Sequence, residues 1–234
     1  MEESERHYWQ AIWETRVLRA PRQSLATFGT TVIRYYLLAK PVYAELQFPN
    51  LSEETVVREG VVRSERPRVV TPFYLMRHEG FSNEATGYLE EMIQLNRGDQ
   101  PGILYSYSNE PKETSIVSGS VTEVALRISE RLDKEGRNLE AVIQGVDAMW
   151  DVSVMKFIYE LTKASVESNA NELNNRGLLE MKGNTPREAL QRIEQLLEGA
   201  RHGNVDPAEV HRELVRWDVF DEYQDRFLEL FGKR

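Results

Sequence analysis

The chain has no cysteine among its 234 residues. That removes disulfides, thiolate catalysis, iron–sulfur clusters and cysteine-ligated zinc together. Histidine is scarce: His7, His78, His202 and His211 show no H-x-H or H-E-x-x-H spacing, so no metal site is expected. Ser118-Gly119-Ser120 resembles neither a nucleophile elbow nor a phosphate-binding loop. No catalytic residue and no cofactor is therefore assigned. No apolar run approaches the roughly 20 residues that span a bilayer. The acidic start, Met1–His7, lacks the basic and apolar regions of an export signal. A soluble, cytoplasmic protein with no membrane partner is expected. Basic runs are missing too. Acidic residues outnumber basic ones by 38 to 29, giving a net charge of -9, and Glu65 interrupts the short grouping Arg63–Arg68. Such a chain repels bare phosphate backbones, which disfavours nucleic acid and leaves Arg58, Arg63, Arg66 and Arg68 as a weak patch.

What is present is an ordinary globular composition, 41% hydrophobic and 29% charged, long enough for a substantial core. Residues 5–19 carry Tyr8, Trp9, Ile12, Trp13 and Val17 at amphipathic helical spacing. The stretch from Thr27 to Leu38 is β-branched and aromatic with apolar residues on both faces, as in a central covered strand. Further strand signals lie at Val42–Phe48, in Thr55–Arg63 as a hairpin about Glu59-Gly60, at Arg68–Leu75 and at Gly102–Ser108. Short connections between them imply antiparallel pairing. A helix is expected over Glu84–Asn96, and the polar, Pro111-containing stretch Asn109–Ser115 reads as a linker or mobile loop.

Beyond that point helical signals dominate. Ser120 and Glu123 have capping-box spacing before a periodic apolar run that stops at Gly136. Thr185-Pro-Arg-Glu188 and Asp206-Pro-Ala-Glu209 repeat the arrangement with proline in the first turn. Residues from Val142 to Leu161 read as the most apolar helical stretch, and a last helix is expected over Val219–Phe231. The fold class is α+β: an antiparallel sheet in the N-terminal half covered by helices, then a mainly helical C-terminal half. The corresponding division is 1–118 and 119–234, with the stretch around Trp150–Leu161 able to serve one continuous core.

Two kinds of position stand out. Arg34 lies mid-strand among Val32, Ile33, Tyr35 and Tyr36, where a cation is costly unless paired. With Tyr36 it could grip a carboxylate or phosphate through its planar fork, with Asn109, Glu110 or Asp147 near the mouth. The competing explanation is an internal ion pair, with an acid such as Glu45 or Glu59, or an arginine whose stem lies along the sheet while its head reaches water. Asp147 and Asp151 are four apart and could share a helix face, although helix capping after Gly145 accounts for them more simply. The second kind is aromatic: Tyr8, Trp9 and Trp13 near the start, and Phe220, Tyr223, Phe227 and Phe231 near the end. Either group could form an oligomer or partner interface, the alternative being docking into the core. Taken alone, the sequence favours a non-enzymatic interaction or accessory protein of a bacterial-type cytosol, a homo-oligomer or one with a protein partner. The alternative is an enzyme or sensor holding a small anionic ligand between sheet and helices.

Overall fold

The computed structural model describes residues 3–43, 53–76, 87–88, 91 and 100–232. Most of the expected strand Val42–Phe48 and of the expected helix Glu84–Asn96 lies outside them. The α+β class holds, with the large sheet mostly N-terminal and helices prevailing towards the C-terminus. The chain forms two compact units, each assembled from two stretches: 1–66 with 105–169, and 67–104 with 170–234. The position 118/119 falls inside the first unit.

The first unit is built on a five-stranded sheet of order β1-β7-β2-β3-β6. Its strands are β1 (Arg16–Arg19), β2 (Thr31–Ala39), β3 (Glu54–Ser64), β6 (Tyr107–Ser118) and β7 (Glu140–Gln144). β2, β3 and β6 form an antiparallel meander, and β1 pairs antiparallel with β7. The sheet is nevertheless mixed, because β7 runs parallel to β2. Helix α1 (Glu3–Glu14) precedes β1. Helix α3 (Val121–Lys134) lies between β6 and β7 and supplies the room that a parallel crossover needs.

Alternation along β2 assigns the faces. Ile33, Tyr35, Leu37 and Ala39 join Val62, Ala141 and Ile143 in a core closed by Val154, Phe157, Ile158 and Leu161 of helix α4 (Trp150–Asn175). Tyr36 and Leu38 join Val57 and Val142 under Val121, Val124, Ala125, Ile128 and Leu132 of α3. β2 is thus central and covered on both faces over its C-terminal part, as its composition implied. Its N-terminal part is open on the α3 side, where Val32 is 41% exposed and Arg34 is exposed.

Three expectations are corrected here. Glu59-Gly60 is no hairpin turn: β3 runs straight through it, and Gly60 sits opposite Tyr35 in mid-strand. Asn109–Ser115 is no loop but part of β6, an edge strand whose polar residues face water. Pro111 is tolerated there because an edge needs fewer donors, and it stands at a bulge opposite Gly60. The apolar stretch from Val142 is not one helix: it is the end of β7, a 3-10 turn at Asp147–Met149, then α4.

The second unit contains β4 (Arg68–Val70) paired with β5 (Gly102–Leu104) and the short helix α2 (Pro72–Met76). It also contains the pair β8 (Met181–Lys182) and β9 (Thr185–Pro186), then α5 (Arg187–Arg201), α6 (Pro207–Arg216) and α7 (Phe220–Leu228). Its core gathers Val70, Tyr74, Ala189, Ile193, Leu197, Val210, Leu214, Trp217, Val219 and Phe227. The α6 start follows the sequence: Asp206 Oδ1 accepts from Ala208 N at 2.9 Å, with Pro207 in the first turn. The α5 start does not. Thr185 pairs with Lys182 in β9, and Glu188 is buried, accepting from Val69 N at 3.2 Å instead of folding back as a cap.

Candidate functional site

A polar cleft opens on the α3 side of the sheet, where α3 ends before it has covered β2. The helix begins in a complete capping box between Ser120 and Glu123 and stops at Gly136. Gly136 adopts φ +66, the left-handed conformation that glycine takes without strain. Gly136 N bonds Asp133 O at 3.2 Å and Arg137 N bonds Leu132 O at 2.8 Å, satisfying two terminal carbonyls. This turn delivers Arg137 to the cleft and hands the chain to β7. Register does the rest: Arg34 stands opposite Glu140 and Val61, and Tyr36 stands opposite Glu59.

The cleft consists of two adjoining cavities of about 510 and 290 Å³. Arg34, Arg137 and Glu140 border both; Tyr36, Glu59, Arg131 and Glu135 line the smaller one. Tyr36 donates to Glu140 Oε2 at 3.1 Å, and the Arg131 guanidinium lies over the same ring, 5.6 Å from its centroid. Arg137 Nε lies 3.2 Å from Glu135 and 3.9 Å from Glu140. The carbonyl end of α3 favours these cations. The Arg34 guanidinium is held above its ordinary range chiefly by a hydrogen bond with Tyr36, which with the charges of Glu140 and Glu59 outweighs the opposing cost of burial. Burial pushes the Tyr36 hydroxyl up, and the Glu140 charge pushes it further, so it remains a donor. Among the described residues no carboxylate forms an ion pair with Arg34.

The expected ligand residues divide between the two faces. Arg34 and Tyr36 share the α3 side. Asn109 and Asp147 are on the α4 side: Asn109 Oδ1 accepts from buried Tyr35 at 3.1 Å, and Asp147 Oδ1 takes Nε and Nη2 of Arg58 at 2.9 and 2.8 Å. Arg58 also lies over Trp150. Asp151 bonds the N–H of Val152 at 2.9 Å at the start of α4. The arginines of the weak basic patch are dispersed: Arg66 lies over Phe28, and Arg68 belongs to an ionic cluster in the second unit. Glu59, Arg131, Arg137 and Glu140 were not singled out from the sequence as ligand groups. The helix end at Gly136 was the one local signal that could have pointed to Arg131 and Arg137.

The two aromatic groups also differ. Trp9 and Trp13 are 50% and 77% exposed on α1, with Tyr8 beside them. That helix docks through Ala11, and Lys156 Nζ donates to its terminal carbonyls at Ile12 and Thr15, at 2.9 and 2.8 Å. Phe227 is instead buried in the second unit, with Phe220 and Tyr223 packed against the same core. Phe220 and Phe227 both contact the His211 ring.

Among the described residues no helix is long and apolar enough to cross a membrane. No family model matches the chain, and no significant match is found among curated proteins or solved structures.

Proposed function

We propose that this chain binds a small anionic ligand, carboxylate- or phosphate-bearing, in the cleft around Arg34. The observation that carries the reading is a guanidinium standing in a cavity, beside a tyrosine hydroxyl and a second arginine, with no described carboxylate paired to it. Arginine's fork suits a planar or tetrahedral anion. The test is a thermal-shift screen of small carboxylates and phosphates against the full chain, followed by calorimetry. Arg34→Gln should weaken binding by roughly tenfold or more, as for loss of a hydrogen bond to a charged group. A panel that leaves the melting temperature of the wild-type protein unmoved would count decisively against the reading.

A second reading, a protein interface at α1, is favoured by the exposure of Trp13. A tryptophan 77% exposed beside Trp9 and Tyr8 is unusual on a free surface, and tryptophan and tyrosine are the anchors of protein interfaces. If α1 mediates self-association, sedimentation should show a concentration-dependent dimer. Trp13→Glu should weaken that dimer by more than about tenfold, the effect of losing an anchor, with the circular dichroism spectrum unchanged. Equal association by both proteins would exclude α1 as the contact.

A further inference from the structure

The cleft holds an acid as well as bases that close no ion pair with a described residue, and that narrows the ligand. Arg137 is engaged by Glu135 and Glu140, and Glu140 also accepts from Tyr36. Arg34, Arg131 and Glu59 remain, none in an ion pair with a described residue, and all three line the same cavity. The register makes Arg34 and Glu59 diagonal neighbours on one sheet face, since Arg34 stands opposite Val61 and Glu59 opposite Tyr36. Diagonal neighbours are roughly 7–8 Å apart, within reach of one another for long side chains. Yet the two side chains turn to the same cavity without closing an ion pair. A bare phosphate would be drawn by the arginines and repelled by Glu59. A ligand carrying an ammonium beside its carboxylate satisfies both.

We infer, on the basis of the ligand reading of this cleft, that its ligand is a small amino carboxylate. The carboxylate lies on Arg34 and Arg131, and the ammonium lies on Glu59. The lining is balanced overall, with Arg34, Arg131 and Arg137 against Glu59, Glu135 and Glu140, so it selects the order of the ligand's charges and not an excess of either sign. Glu59 is then the specificity residue, because it rejects des-amino analogues that the arginines alone would accept.

The experiment is calorimetric titration of the full chain with glutamate, with glutarate (the same skeleton without the ammonium) and with inorganic phosphate. Wild-type protein should bind glutamate about tenfold or more tighter than glutarate, as a charge-assisted contact provides. Glu59→Gln should abolish that preference, and Arg34→Gln should weaken both dicarboxylates. Melting temperatures without ligand check the fold, and Arg131→Gln on the exposed helix surface replaces Arg34→Gln should the latter prove unstable. If glutarate or phosphate binds at least as well as glutamate and Glu59→Gln tightens it, the amino-carboxylate assignment fails while the cleft remains an anion site. If nothing in the panel binds, or if the arginine variants bind as the wild type does, the assignment and the ligand reading fail together.

Discussion

Glu213→Gln is expected to cost the second unit about 3 kcal/mol, read as a lowered urea midpoint, the scale for removing one partner of a buried ion pair. Glu213 is the hub of a charged cluster inside that unit. Its Oε1 accepts from Tyr74 Oη at 2.6 Å and from Arg68 Nη2 at 2.8 Å, and its Oε2 accepts from Arg192 Nη2 at 3.0 Å. The Arg192 and Glu213 side chains are only 15% and 9% exposed. Glu188, 1% exposed, lies 3.7 Å from Arg192 and completes a set of two arginines and two glutamates. Removing the Glu213 charge leaves one carboxylate of this set, Glu188, against two arginines. Arg192 Nε and Nη1 already have no acceptor among the described residues. Tyr74→Phe deletes the bond donated to Glu213 and the one accepted from Arg68 but leaves that ion pair in place, and should cost less, about 2 kcal/mol. Equal midpoints for wild type and Glu213→Gln would mean that the cluster is a solvated surface pairing after all.

The same residue gives the pH dependence a sign. Burial by itself pushes the Glu213 carboxyl up, but the Tyr74 hydrogen bond and the charges of Arg192 and Arg68 outweigh it and hold the group below its ordinary range. A depressed folded value means that the unfolded chain binds the proton first. The stabilisation is therefore complete above the unfolded value, near pH 4.3, and is lost as pH falls through the folded one. Glu194, held low by Arg226, acts in the same direction and preserves part of the acid limb. Glu213→Gln should flatten the fall in stability below about pH 4 without abolishing it.

Helix ends were legible in the sequence because their physics is local. Ser120 with Glu123, Asp206 with Pro207, and Gly136 need only their own neighbours to act, and each does what its position implied. The α5 start failed because Glu188 is claimed by distant groups, the Val69 amide and Arg192. β7 was hidden because a short apolar run followed by an apolar helix offers one unbroken signal. β6 was hidden because a solvated edge strand and a polar loop have the same composition. Arg34 was legible as a charge in an apolar strand. Its surroundings were not: Glu59 and Glu140 reach it through an antiparallel and a parallel pairing that no local pattern encodes. The separation of Asn109 from Arg34 follows from the same register, since one residue's difference in phase exchanges the faces of a strand, while Asp147 lies in the turn after β7 and pairs with Arg58.

Gly60→Val should cost the sheet about 3 kcal/mol, the upper part of the range for overpacking a filled core. Gly60 has an ordinary negative φ, so the argument is one of space and not of backbone freedom. A Cβ built there falls 2.7 Å from Cε1 of Tyr35 and closer still to its Cζ and Oη. The ring cannot swing aside easily: Tyr35 is fully buried, packs in the core beneath α4 and donates to Asn109. The pairing explains why a glycine is kept in mid-strand, where it otherwise weakens a sheet: the facing aromatic ring occupies the place of its missing side chain. The test is a double-mutant cycle on urea midpoints. Tyr35→Leu removes the overhanging ring and carries its own cost for lost core volume. In that background Gly60→Val should cost close to nothing, because valine suits a strand once the space is free. The coupling between the two positions should therefore reach about 2 kcal/mol, well above the few tenths seen for independent sites. Strict additivity would show that Tyr35 does not set the size limit at position 60. The origin of the cost would then have to be sought on the other side of β3, at the bulge where Pro111 faces the glycine.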